Sequence, residues 1–455
     1  MAERTGEERT GAGIEVTDSA DTMSSEALQA RMTEQGFSKG YRYYALGLLT
    51  VVYIFNFIDR QIVVILQESI KQDLGLMDWQ LGLLSGFAFA VFYVTMGVPI
   101  ARIADRGVRR NVISISLALW SGMTALCGTV SHFWQLLLAR IGVGVGEAGC
   151  SPPAHSIISD MFPPAERATA LSIYNMGINF GVFIGFLAGG WINQYLGWRW
   201  AFIAVGIPGV LFAIFVRMTL KEPPRGMSEI QVQDNEPPPL LNVFKLLWDR
   251  ISFRHMAMAA GLHAFVSYGV GGWMAPFLQR VHGLESGETA NWLAPVAALP
   301  AALGAFLGGY LCDKYGKEDA RMYIWIPAGA IIVALPFQLW AYFIGDHRWA
   351  MLVYAIPVLL NACYLGPMLA MTHGLVSLRM RAVSSSVLFL VLNFIGLGLG
   401  PLVTGVLSDV FGAQMGAGEG LRWALVVVTL ANIWAAVHYL MGARTLREDL
   451  ARAPK

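Results

Sequence analysis

Two acids and two arginines lie inside long apolar runs of this 455-residue chain: Asp59 and Arg60 in VVYIFNFIDRQIVVIL, and Arg140 and Glu147 in LLLARIGVGVGEAG. Folding of such runs needs no charge, and an ionised side chain in an apolar phase is costly, so each asks for a chemical reason. Desolvation raises the pKa of an acid, and a nearby arginine lowers it. If the arginine beside Asp59 or Glu147 changes between two conformations, the acid takes a proton on one side and releases it on the other. Asp59 and Glu147 are therefore the candidates for proton coupling. Arg140 either clamps an anionic headgroup or neutralises an acid, and both readings stand. Arg60 has a ligand role set against snorkelling or bracing of a neighbouring helix.

Aromatic and polar groups share these runs and others like them. Phe55 and Asn56 precede Asp59 by one helical turn; His263, Tyr268 and Trp273 fall in a later run, and Asn361 and Tyr364 in another. Aromatic surface beside a few charges suits an amphipathic ligand with a charged head and an apolar tail. The competing reading is packing, and a lone histidine such as His263 is usually hydrogen-bonded core. His155 and His373 read as structural or interfacial. The cysteines (Cys127, Cys150, Cys312, Cys363) lack metal-ligand spacing and read as small core residues. No metal or cofactor is expected. No G-x-x-x-x-G-K-[ST] loop or Ser-His-Asp constellation is present, which argues against ATP-driven pumping and against an enzyme.

The elements that position these residues are apolar helices. Hydrophobic residues make up 55% of the chain and charged ones 14%, against about 25% in an ordinary soluble protein. Runs of roughly 20 apolar residues, each enough to cross a bilayer core, place spans near 41–66, 79–104, 109–130, 133–158, 168–195 and 198–218. Six more follow near 253–280, 289–313, 321–344, 347–376, 382–410 and 421–442. The expected organisation is a disordered cytosolic tail over 1–40, a six-helix bundle over 41–218, a proline-rich cytoplasmic linker over 219–252, a second bundle over 253–442 and a cytosolic tail over 443–455. A short amphipathic piece near Leu28–Phe37 is the one candidate element in the first tail, which has no apolar signal-peptide core. The net charge of +1 gives no reason to expect nucleic acid as a partner.

Basic residues collect in alternate loops, at Arg102, Arg106, Arg109, Arg110 and Arg167, around the linker, and at Lys314, Lys317, Arg321, Arg379 and Arg381. That asymmetry predicts cytoplasmic termini and an even number of spans. Span one then runs outward and span four inward, which puts Asp59 and Arg140 at a similar depth, roughly 10 Å below the outer boundary. They are expected to meet. Glu147, one heptad beyond Arg140, projects from nearly the same face about 10 Å away. Asp59 and Arg60 diverge by roughly 100° around their helix and cannot share one partner.

Two echoes join the halves. ARIADRGVRR (101–110) and GYLCDKYGKE (309–318) each close a span with Asp followed by a base, and GWRWAF (197–202) matches GLRWAL (420–425). Parallel repeats of six spans are what a duplicated transporter shows. Asp105, Arg106 and Arg109, with Asp313 and Lys314, read as a cytoplasmic gate that pairs with helix ends.

At these motifs a family resemblance appears. ARIADRGVRR resembles the G-x-x-x-D-R-x-G-R-R signature of the major facilitator superfamily, departing from it at Ala101 and Val108, while the second copy keeps Gly309 and Gly316. LLLARIGVGVGEAG resembles that superfamily's fourth-helix motif. GINFGVFIGFLAGG (177–190) has the glycine spacing of its fifth-helix antiporter motif, with Phe186 where proline is usual. FNFIDRQIV (55–63), RIGVGVGEAG (140–149) and IARIADRGVRR together resemble the spinster family of lysolipid and sphingolipid transporters. The resemblance implies an all-α polytopic membrane protein with twelve transmembrane helices in two pseudo-symmetric six-helix bundles, with spans one, four, seven and ten lining a central cavity. It also implies lysophospholipid or sphingoid-type substrates; with the buried acids, the reading is a monomeric secondary transporter in the cell (inner) membrane, proton-coupled or facilitative. The alternatives are an exporter of hydrophobic drugs or organic anions and, from another class, a transporter-derived receptor that binds without moving its ligand.

Overall fold

The structure, a computed structural model, describes residues 32–228 and 240–454. Residues 1–31 of the expected tail and 229–239 of the expected linker lie outside the described residues. Helices α1 (Lys39–Leu74), α2 (Asp78–Arg106) and α3 (Arg109–Cys127) come first. Next is α4, which is interrupted between Phe133–Glu147 and Ser151–Met161, and then α5 (Pro164–Leu196) and α6 (Trp198–Thr219). The second half holds α7 (Ile251–His282), α8 (Ser286–Gly316), α9 (Met322–Ala341), α10 (His347–Gly374), α11 (Arg381–Met415) and α12 (Ala417–Ala451). Among the described residues, nine of these are long and apolar enough to cross a membrane by length and composition. The other three, α3, α4 and α7, are diluted or broken: α3 opens on Arg109 and Arg110, α4 is interrupted, and α7 carries Arg254, His255 and His263. A short helix, Leu240–Trp248, precedes α7 and buries Val243 and Leu247.

Glycine sets the two tightest corners. Gly197 (φ +87°) and Gly416 (φ +88°) join α5 to α6 and α11 to α12, in a left-handed conformation that a side chain would strain. The GWRWAF and GLRWAL echo is thus out of structural register. The first copy straddles the corner, whereas Gly420 lies one turn inside α12, where a Cβ would collide with the Gly412 backbone. The glycines of GINFGVFIGFLAGG serve packing. Gly181 and Gly185 bring α5 so close to α1 that a Cβ would lie 2.5 Å from Phe57 Cβ and 3.0 Å from Gln61 Cβ.

Two expectations at the chain ends are corrected. Residues 32–40 are ordered against the bundle, because Met32 and Phe37 are buried and the Lys221 ammonium donates to the Gly36 carbonyl at 3.3 Å. Residues 443–451 continue α12 rather than forming a tail. Tyr439, Ala443 and Leu446 share its buried stripe, and the Asp449 carboxylate accepts from Ser252 N at 2.9 Å and from its Oγ at 2.7 Å, capping α7.

Each half packs its own apolar core toward the face where residues 32–38, 107–108, 220–228 and 374–380 gather, called here the terminal face. A third core crosses from one half to the other near the opposite face. Hydrogen bonds joining the halves cluster on that opposite face. Arg280 of α7 donates to Glu68 Oε2 (2.7 Å) and to both oxygens of Asp78 (2.6 and 2.8 Å), and Asp78 also accepts from Lys71 (2.6 Å) and Ser408 (2.6 Å). Asp409 of α11 accepts from the backbone N–H groups of Asp78 and Trp79, capping α2 across the seam. Ser286 Oγ donates to the Gly190 carbonyl at 3.0 Å, and Gln194 reaches Glu285 and Gly287.

Helices α2 and α11 cross beneath this seal, and each contains a π-helical stretch there, Leu83–Phe87 and Leu392–Leu399. A Cβ on Gly82 would collide with the Pro401 carbonyl, and one on Gly86 would lie 2.8 Å from that of Leu397. Farther along α2, a Cβ on Gly97 would meet nothing within 4 Å. The halves are sealed at one face, and the space beside α2 farther from that seal is open at Gly97.

Candidate functional site: a buried charge cluster between α1 and α4

Four charges come together midway along α1 and α4. Arg60 Nε donates to Glu147 Oε2 at 2.7 Å, with the Glu147 side chain fully enclosed and Arg60 18% exposed. The Arg60 guanidinium lies over three rings, 4.9 Å from the Phe89 centroid, 5.0 Å from Tyr93 and 5.1 Å from Phe57. Ring quadrupoles attract a cation held this way, by about 0.5–2 kcal/mol each depending on desolvation. Tyr268 of α7, 40% exposed, is near enough to Arg60 to feel its charge. The cluster thus has one open side, formed by Arg60, Tyr93 and Tyr268.

The expected pairing of Asp59 with Arg140 is corrected. The two are neighbours at one depth, but Arg140 Nη1 reaches the Asp59 backbone carbonyl, at 3.5 Å, and not its carboxylate. Both carboxylate oxygens of Asp59 are buried without a hydrogen-bond partner among the described residues, as are Arg140 Nε, Thr124 Oγ1, Asn56 Nδ2 and Glu147 Oε1. Arg60, rather than Arg140, engages Glu147. The divergence of Asp59 and Arg60 around α1 is as the helix geometry requires. Where α4 breaks, Gly146 fits against Trp120, with a Cβ 2.8 Å from the Trp120 backbone N, and that contact fixes Glu147 toward α1.

The other expected site residues separate. Asn56 is buried beside the cluster. Phe55 stacks on Phe212 of α6 (centroids 5.5 Å apart), which makes it a packing residue of the first half. Trp273 is fully buried near the sealed face and donates from Nε1 to the Pro401 carbonyl at 2.9 Å, so it holds α7 to α11 and does not line a ligand space. His263 is a satisfied core histidine. Its Nε2 lies 2.8 Å from the Asn361 carbonyl and its Nδ1 3.1 Å from the Asn432 side chain, and Tyr364 packs edge-on at 4.5 Å. The neutral Nε2–H tautomer donates to the Asn361 carbonyl, and with the Asn432 amide turned over, so that its otherwise unpartnered Nδ2 faces Nδ1, the ring accepts from it and both nitrogens are satisfied. Tyr364 itself sits at a one-turn 3₁₀ break in α10, Ala362–Tyr364.

At the terminal face Asp105 and Arg106 are exposed, with no ion pair among the described residues. Arg109 is buried and belongs wholly to its own half. It pairs with Asp160 and with Glu222 (2.7 Å), and donates to Ser156 Oγ (2.8 Å) and the Pro223 carbonyl (2.7 Å). Asp313 accepts from the Tyr323 hydroxyl at 2.8 Å, and Lys314 lies over the Tyr315 ring. The four cysteines are buried and free. Missed in the sequence were the seal residues Glu68, Lys71, Asp78, Arg280 and Asp409. Part of the signal was there, since the outer loops are poor in bases and yet Lys71 lies between Glu68 and Asp73; Arg280 has no acid within four residues along the chain.

A two-half helical bundle, sealed at one face and enclosing a small buried charge cluster, has the architecture of a membrane carrier. The sequence matches the Major Facilitator Superfamily over residues 49–396. A solved bacterial homologue of the human lysosomal transporter spinster, inward-facing and unoccupied, is 35% identical, covers 90% of this chain and 99% of its own, and superposes with a TM-score of 0.82. An MFS-type efflux pump of Mycolicibacterium smegmatis is 31% identical over 412 residues, 89% of this chain and 94% of the pump. Protein spinster homolog 1 of Xenopus tropicalis is 26% identical over 450 residues, 91% of this chain and 83% of the relative. The chain belongs to the major facilitator superfamily and, within it, to the spinster-type transporters. It is accordingly a multi-pass integral membrane transporter and not an enzyme.

Proposed function

We propose that this transporter moves an amphipathic lipid of lysophospholipid or sphingoid type by alternating access with proton coupling, as a monomer in the cell (inner) membrane. The terminal face is cytoplasmic in this reading, supported by its basic loops, and the state described is then inward-facing. The observation that carries the reading is the Arg60–Glu147 pair inside its ring of aromatics. An anionic headgroup reaching Arg60 from the open side competes with Glu147 for the guanidinium, while Phe57, Tyr93 and Tyr268 offer apolar surface to the chain behind it. A carboxylate displaced from its arginine in a buried site is costly to keep charged and takes up a proton instead. Asp59, buried without a hydrogen-bond partner, is a second proton acceptor beside it. Asp105, Arg106, Asp313 and Lys314, exposed at the terminal face, are the candidate gate residues that pair when that face closes, and Arg109 stiffens the half that carries the first two.

The test is lysolipid uptake into proteoliposomes under an imposed pH gradient. Asp59→Asn and Glu147→Gln are expected to remove the pH dependence, and an unchanged dependence in both refutes the coupling. The relation to an efflux pump favours a second reading, export of hydrophobic drugs. A cationic dye, assayed under the same gradient in place of the lysolipid, separates the two. Binding without flux of either compound would leave the receptor reading.

A further inference from the structure

Gln67 lies two turns beyond Asp59 on α1, fully buried, and neither its Oε1 nor its Nε2 has a hydrogen-bond partner among the described residues. A buried amide without partners is costly, and such groups are ordinarily satisfied by protein or by ordered water. Gln67 lines a cavity of about 10 Å³, bounded also by Val63, Ile70, Leu81, Leu84, Leu136, Phe202 and the Arg140 side chain. That is the room the centre of one water molecule needs. Arg140 also lines the cavity, and its Nε is buried without a hydrogen-bond partner among the described residues. Gln67 and Arg140 are therefore two polar side chains, both buried, bordering one water-sized space in an otherwise apolar wall. The space lies between the charge cluster and the seal, since Ile70 and Leu81 adjoin the Lys71–Asp78 pair.

We infer that this cavity is a binding site for one structural water, which accepts from Arg140 Nε and donates to Gln67 Oε1, and that Gln67 is thereby a positioning residue for Arg140. The consequence falls on Asp59. Held back through the water, Arg140 touches the Asp59 backbone carbonyl and leaves the carboxylate unpaired. The other groups facing that carboxylate are Glu147 from α4 and Thr124 and Cys127 from α3, with Arg60 engaged by Glu147. None of them replaces Arg140 as a cationic partner. Without the water, Arg140 Nε has no partner but the acid. The guanidinium turns to the carboxylate and favours its ionised form. The effect on transport rests on the proton-coupling reading above; the water site does not.

The test has two arms. Radiolytic hydroxyl labelling, read by mass spectrometry, marks side chains beside bound water. Leu81, Leu84 and Phe202 are buried, yet labelling is expected at them in the wild-type protein and protection in Gln67→Leu. Absence of label in the wild type overturns the inference, whatever the transport result. In the second arm, the midpoint of the pH profile for lysolipid uptake is expected to move to lower pH by about one unit in Gln67→Leu, with Gln67→Asn intermediate. Where Asp59→Asn does change the profile, a Gln67→Leu protein that still exchanges lysolipid and keeps the wild-type midpoint overturns the positioning of Arg140 by Gln67. If Gln67→Leu does not fold, Gln67→Met keeps the volume and takes its place in both arms. Asp59→Asn is the control for the underlying reading. If it leaves the profile unchanged, the proton coupling fails while the labelling arm still decides the water site.

Discussion

Replacing Arg280 with Gln removes the centre of the seal. Arg280 is 6% exposed and donates to two carboxylates, Glu68 and Asp78, the latter only 3% exposed. Breaking a buried pair costs about 3–5 kcal/mol because one charge is left without compensation. Here the cost is smaller, since Asp78 keeps Lys71 and Ser408 and Glu68 is partly in water; about 2–4 kcal/mol is the expected loss. These bonds join the two halves, so the loss falls on the state sealed at this face and not on a state in which the face has parted. At about 1.4 kcal/mol per factor of ten, the sealed-to-parted ratio falls about 30- to 700-fold. Spin labels at Tyr195→Cys and Trp349→Cys, exposed residues on this face in different halves, read the separation by pulsed electron resonance. The four native cysteines are buried and stay unlabelled. A longer distance should dominate in Arg280→Gln. The exposed pair Arg199–Asp73 lies on the same face within one half, at 40% and 43% exposure, and Arg199→Gln is the control expected to change nothing. An unchanged distribution in a folded Arg280→Gln protein refutes the assignment of the seal to this network.

Gly190→Val places side-chain atoms where a Cβ already collides with Ala290, so the same labels should report a parted face with no charge removed. His263→Leu leaves the Asn361 carbonyl and the Asn432 side chain unpaired; it should lower stability by about 2–4 kcal/mol, seen as a reduced melting temperature in detergent, with the KM of the folded fraction unchanged. Asp319, in the loop between α8 and α9, is held down to about 2 by hydrogen bonds from Arg321, with the Arg447 charge contributing. Because its folded pKa is depressed, its contribution is complete above the ordinary carboxylate range and fades as pH falls toward about 2. The melting difference between wild type and Asp319→Asn should therefore be constant from pH 5 to 8 and shrink in acid. A difference that grows on acidification contradicts the pairing.

The twelve spans were legible because apolar runs of bilayer length are a one-dimensional signal; most ends fell within a few residues of the helix ends, but α1 and α12 run on to Leu74 and Ala451, well past the expected 66 and 442. The internal duplication was legible through its Asp-base loops. The membership of the charge cluster was also legible, since four charges in apolar spans admit few explanations. Its pairing was not. Depth along a helix puts Asp59 level with Arg140, but partner choice depends on rotation about the helix and on the break after Glu147, which lets Gly146 seat against Trp120. Phe55 and Trp273 misled because aromatic type does not say which way a ring points. The seal went unread because its acids and bases come from four separate spans, and only the packed halves bring them together.

The π-helical stretch in α2 has a geometric consequence. A single π-turn accommodates one extra residue, which rotates everything beyond it by roughly 100° relative to an unbroken α-helix. On one side of Leu83–Phe87, α2 presents Gly82 to Pro401 of the other half; on the far side it presents Phe89 and Tyr93 to Arg60 of its own. The extra residue thus acts as a phase shifter, allowing one helix to serve the seam and the charge cluster at once. Deleting one residue from that stretch would straighten the helix and bring only one of the two faces to its target.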